Sequence, residues 1–177
     1  MAILPVALCQ PLSEPHSIDG RLEEDIWSLP PAIPFFVRPR VRWIPEAQTQ
    51  VYAAYDDSCL ILAFRCYEDA PERVERGAGP PSIDYLFHDD FVGFSLQPNG
   101  IRLNEFGRTI AITASGKAYE QVDSIAEDER GSLPHRFVER PEIECAVTFG
   151  EREWTVEASL PLQALNLPYV NLLKPPN

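Results

Sequence analysis

The stretch VYAAYDDSCLILAFRCYED, residues 51–69, decides the fold. Val51, Ala53 and Tyr55 fall on one side of an extended chain; after Asp56, Asp57 and Ser58, residues Leu60, Leu62, Phe64 and Cys66 again share one side. A period of two belongs to strands, whose successive side chains point to opposite faces, and two such runs joined by a short polar turn read as a β-hairpin.

The same period recurs on either side of this hairpin. DFVGFSL (90–96) sets Val92, Phe94 and Leu96 on one face and Phe91, Gly93 and Ser95 on the other; QPNG then turns the chain into IRLNEFG (101–107), followed by TIAIT, a Ser-Gly turn and KAYEQV. Towards the end, IECAVTF is expected to bury Ile143, Cys145, Val147 and Phe149, and WTVEASL to bury Trp154, Val156, Ala158 and Leu160. Eighteen prolines leave little room for long helices. Many short alternating strands predict an all-β chain, an antiparallel β-sandwich with jelly-roll-like or immunoglobulin-like stacking of two sheets, as a single domain over 1–177. Residues 70–84 and 122–140 read as long irregular loops.

Composition narrows the partners. A formal charge of -12 repels nucleic acid and anionic membrane surfaces. MAILPVALCQ, at the start, lacks a basic leader, is broken by Pro5 and is too short to span a bilayer, so it reads as a first strand; the compartment stays open. Cys9, Cys59, Cys66 and Cys145 form no C-x-x-C pair and give a zinc site no support, with Cys66 and Cys145 falling on apolar strand phases. In SIDGRLEEDIW (17–27), Asp19 and Gly20 read as a tight turn, the acids as a solvated helical turn, and Trp27 as a structural ring plugging one end of the sandwich.

In this order, IDGRLEEDIW, TQVYAAYDDSCLILAFRCYED, HDDFVGFSL, IRLNEFG and REWTVEASLPLQAL, the sequence resembles the family 9 carbohydrate-binding module over about residues 16–165. The resemblance implies a β-sandwich with a concave sugar site, where aromatic rings stack on C–H faces and polar groups bond the hydroxyls. A stacking tryptophan of the family falls on Phe87, a site carboxylate falls on Gly93, and an arginine is kept as Arg102 with Asn104 on the same face. The expected ligand contacts are Trp43, Tyr85, Phe87, His88, Arg102 and Asn104, with Asp89 beside them. The resemblance also implies calcium, for which Asp56, Asp57, Asp69, Asp84, Asp89 and Asp90 are the candidate ligands because hard cations need converging oxygens. Relatives continue past NLLKPPN with further strands, so an open sheet edge is expected to favour a homo-oligomer or a partner chain.

Rival readings find less. His16, His88 and His135 are scattered, and no nucleophile elbow or phosphate loop occurs, so no catalytic residue is expected. A haem-binding relative would use an axial methionine, and Met1 is the only one. A protein-interaction or accessory domain without a small ligand is the alternative to carbohydrate binding.

Overall fold

The computed structural model describes residues 7–37, 43–77, 89–96, 108–123 and 135–163. It is all-β, with 3-10 turns at Asp25–Ser28 and Pro71–Arg73. Its strands are β1 (Gln10–Pro11), β2 (Thr49–Tyr55), β3 (Cys59–Tyr67), β4 (Phe91–Leu96), β5 (Arg108–Thr113), β6 (Ala118–Asp123), β7 (His135–Glu139), β8 (Glu144–Phe149) and β9 (Glu153–Pro161). They form a five-stranded sheet in the order β1, β2, β3, β9, β8 and a four-stranded sheet in the order β4, β5, β6, β7. The chain divides into two compact units, one of residues up to Arg73 with Cys145–Ser159, the other of Val74–Glu144 with the residues from Leu160.

In the first unit the hairpin forms as its pattern requires. Val51 pairs with Phe64, Ala53 with Leu62 and Tyr55 with Leu60, so both alternating runs lie on one face. The turn is held by Asp56, whose Oδ1 accepts from the backbone N–H groups of Ser58 (2.6 Å) and Cys59 (2.7 Å). Those bonds, the one from Ser58 first, hold the Asp56 carboxyl below the usual aspartate range. The opposite face is apolar too: Tyr52, Ala54, Ile61 and Ala63 are buried with Trp27, and Leu12, Ile18, Leu22, Ile26 and Cys59 pack against them.

This packing corrects the expected place of Trp27. Its indole N–H reaches Glu157 on β9, three positions from Trp154, and three positions along a strand means opposite faces. Trp27 and Trp154 are both buried, at 3% and 7% exposure, but on opposite sides of the five-stranded sheet. Trp27 covers the Tyr52 face because the segment from His16 to Ser28 runs across it. Glu24 departs as well: it is half-buried, while Glu23 and Asp25 face water as expected.

Strand β8 lies at the sheet's edge, and Cys145, Val147 and Phe149 are only half-buried there; of the four residues expected in the core, Ile143 alone is buried. Among the described residues the first strand is Gln10–Pro11, paired parallel to β2, and residues 1–6 of the expected strand lie outside them. None of the four cysteines is in a disulfide, and only Cys66 is fully buried.

In the second unit Val92, Phe94 and Leu96 share a face, as expected, and pair with Ile112, Ile110 and Arg108. The apolar side is formed by the buried Val92, Ile110, Ile112 and Ala118. Buried Glu120 on this face is ion-paired with Arg108 (3.0 Å) and with Arg140. Strand β7, inside the segment expected to be irregular, pairs with β6 from Tyr119↔Glu139 to Asp123↔His135. The run HRFVE has too few apolar residues to announce a strand, and the backbone ladder supplies what its side chains do not.

Candidate functional site

Three surfaces carry side chains suited to ligands. The first is the face of the four-stranded sheet that bears Gly93, the position where the resemblance places a carboxylate. Gly93 pairs with Ala111 and Ala111 with Tyr119; Ser95 pairs with Thr109, and Thr109 with Gln121, which pairs in turn with Phe137. These rows give the face two aromatic rings and a line of polar groups, with Ser95 and Thr109 hydroxyls 2.9 Å apart. Its centre is closed, because Ala111 and Tyr119 are buried with Phe137 packed against them, while Phe91, Gly93 and Ser95 are exposed. Tyr85, Phe87, His88, Arg102 and Asn104, and Asp84, lie outside the described residues.

The second is a set of exposed apolar side chains in the first unit. Trp43 is 62% exposed, and Ile44, Phe35, Phe36 and Val37 are exposed as well. Gln48 ties the two stretches together: its Oε1 accepts from the Phe36 N–H (2.9 Å) and its Nε2 donates to the Pro45 carbonyl (2.6 Å). Trp43 therefore stands as expected, a ring without a core to enter. Phe35 and Phe36 are its neighbours in character, and the sequence hid them, since PPAIPFF has no strand or helix period.

The third is a buried polar centre. Glu157 is 0% exposed, and both of its oxygens are saturated. Oε1 lies 2.8 Å from the Trp27 indole N–H and 3.0 Å from His16 Nε2; Oε2 accepts from the N–H groups of Gly20 (2.8 Å) and Asp19 (3.1 Å). Burial pushes the Glu157 carboxyl above the usual glutamate range, opposed by the bonds from Gly20, His16 and Asp19. Gly20 is required at its position: φ is +78°, and a Cβ there would come within 3.0 Å of Ala146, Val147 and Thr148. Beside this centre opens a cleft of about 640 Å³ lined by Leu12–His16, Glu23–Ile26 and Leu29. One signal for it stood in the sequence: Glu157 is a lone acid in the apolar run WTVEASL, and a buried carboxylate needs donors around it.

The carboxylates put forward for calcium are spread over separate tasks. Asp56 holds its turn, Asp69 is paired with Arg152, and Asp90 Oδ2 accepts from the Glu75 N–H at 2.9 Å. Asp57 is exposed, and Asp89 lies against Gly77, where any added side chain would collide with it. Among the described residues, no three of these five bring their oxygens within 4.8 Å of one another.

Comparison with known proteins supports the architecture. A solved carbohydrate-binding module of family 9 from Caldicellulosiruptor kristjanssonii, in complex with glucose, superposes with a TM-score of 0.54 over 88% of this chain and 68% of its own, at 16% sequence identity. The chain thus has the β-sandwich fold of that module, as its sequence motifs led one to expect. No protein-family model matches the chain. No curated protein matches it in sequence. No helix among the described residues is long and apolar enough to cross a membrane.

Proposed function

We propose that this chain is a non-catalytic carbohydrate-binding domain that takes a mono- or oligosaccharide by stacking and hydroxyl recognition. The observation carrying this reading is the fold, which it shares with a module that has been solved with glucose. Exposed Trp43 supports it, because a sugar's C–H face gains most from an uncovered indole. Arg102 and Asn104 are the proposed hydroxyl partners, with Phe87, Tyr85 and His88 beside them. The departures at Phe87 and Gly93 remove a large ring and a carboxylate from the family's pattern, so binding is expected to be weak, with Kd on the order of 1 mM, or about 4 kcal/mol.

Tryptophan fluorescence and calorimetry with glucose, cellobiose and xylo-oligosaccharides test this. Trp43 is the one exposed indole of three, so acrylamide should quench one tryptophan readily and a bound sugar should protect it. Arg102→Ala should abolish the binding heat. Absence of heat and protection across a broad glycan panel would overturn the reading.

The exposed side chains of Phe35, Phe36, Val37, Trp43 and Ile44 favour one second reading, a domain that docks onto another protein, because exposed apolar rings in number are characteristic of such contacts. Light scattering separates the two: a concentration-dependent oligomer lost in Trp43→Ser, with no sugar effect, would select protein docking.

A further inference from the structure

We infer that His16 and Glu24 form a binding site for a zinc-class divalent transition metal, opening into the cleft beside the Glu157 centre. The argument begins with the proton on His16. Glu157 is met by three groups that can only donate, the N–H groups of Asp19 and Gly20 and the Trp27 indole, so it serves as an acceptor. The network therefore assigns the His16 ring proton to Nε2, 3.0 Å from Glu157 Oε1. That leaves the Nδ1 lone pair bare.

Nδ1 faces Glu24. The distance to Glu24 Oε1 is 3.8 Å, too long for a hydrogen bond. It is shorter than two metal–ligand bonds of about 2.0–2.2 Å each placed end to end, so one cation bridges the pair without either side chain moving far. Glu24 Oε2 is enclosed and has no hydrogen-bond partner. A shielded carboxylate oxygen without a donor is unfavourable, and a cation supplies the missing partner.

The surroundings are those of a metal-ligating histidine. Such a ring characteristically donates its other N–H to a carboxylate, which fixes the tautomer and raises the basicity of the ligating nitrogen, and Glu157 does this here. The ring is held edge-on to Trp27, centroids 5.3 Å apart and planes at 86°, with its side chain only 5% exposed. Glu157 itself is not a ligand, because its four contacts occupy both oxygens. Glu14, Glu23 and Asp25 line or flank the cleft and raise the local concentration of cations, and water fills the remaining positions of an open site. An imidazole nitrogen selects zinc, nickel, cobalt or copper over calcium and magnesium.

The test is calorimetric titration of zinc chloride into untagged protein carrying Cys9→Ser, which removes an exposed competing thiol. One zinc per chain is expected, with a shift of the His16 Nδ1 resonance in nitrogen-15 NMR and no response to calcium chloride. Glu24→Gln, which leaves the Glu157 network untouched, should weaken zinc at least about tenfold. His16→Gln should abolish binding, and Glu24→Gln keeps the question answerable if that variant fails to fold. Zinc binding of equal strength in Glu24→Gln, no zinc binding at all, or an unmoved Nδ1 resonance with zinc bound would each overturn the assignment.

Discussion

The indole N–H of Trp27 donates to Oε1 of Glu157 over 2.8 Å, joining residues 130 positions apart. This bond ties the segment before β2 to β9. It explains how a buried carboxylate is tolerated: every lone pair that water would have served is served by the chain. A satisfied network of this kind is costly to break at any member.

Glu157→Gln is expected to destabilise the fold by about 2–4 kcal/mol, because one oxygen becomes an amide NH2 that donates towards groups that also donate. Trp27→Phe removes one of those donors, and a double-mutant cycle by urea denaturation should give a coupling of about 1 kcal/mol between the two positions. A Glu157→Gln variant within about 0.5 kcal/mol of the parent would show that the acceptor role is wrong.

Gly20 offers a backbone prediction. At φ +78° an alanine is strained, and its Cβ would press within 3.0 Å of the β8 backbone and Thr148. Gly20→Ala should cost about 2 kcal/mol or more, read as a lowered midpoint in chemical denaturation with an unchanged slope.

Asp56 makes a prediction about pH. Its folded carboxyl titrates below its unfolded value, so its contribution is present above the ordinary aspartate pKa near about 3.9 and is lost as pH falls through the folded value. The group is exposed and screened by solvent, so the effect is small. Asp56→Ala should lower stability by about 0.5–1.5 kcal/mol at neutral pH, and the gap should narrow in acid. A constant gap from neutral pH down to acid denaturation would rule out the charge as its source.

Thiol chemistry reports on the hairpin. Burial pushes the Cys66 thiol up to about 11, so it is neither ionised nor reachable at neutral pH. Cys66 should stay unmodified by a maleimide while exposed Cys9 reacts, and should react once urea unfolds the chain. Native labelling of Cys66 at a rate like that of Cys9 would place the hairpin outside the core.

The strands of this chain were legible because period two survives inside each of them: residues 51–67 and 153–161 announced both their conformation and their apolar faces. What covers the second face of a sheet is not written locally. Alternation puts Glu157 opposite Trp154, yet only the folded chain shows that His16, Gly20 and Trp27 arrive there. Strand β7 escaped notice because its pairing with β6 is a matter of backbone. Of the candidate ligand contacts, Trp43 was readable as a tryptophan with nowhere to hide, whereas Phe35 and Phe36 sit among prolines that erase any period. The metal pair was unreadable, since eight positions separate His16 from Glu24 and no fixed spacing links them.

The partner that shields Trp27 is synthesised 130 residues after it. Until residue 157 leaves the ribosome, the ring, His16 and the Gly20 turn have no carboxylate to close upon, so the β2–β3 hairpin and the segment before it wait as a sticky, half-made sheet. Closure of this polar centre therefore waits on the 130 positions that separate Trp27 from Glu157, and chaperone demand during synthesis should fall once Glu157 has emerged.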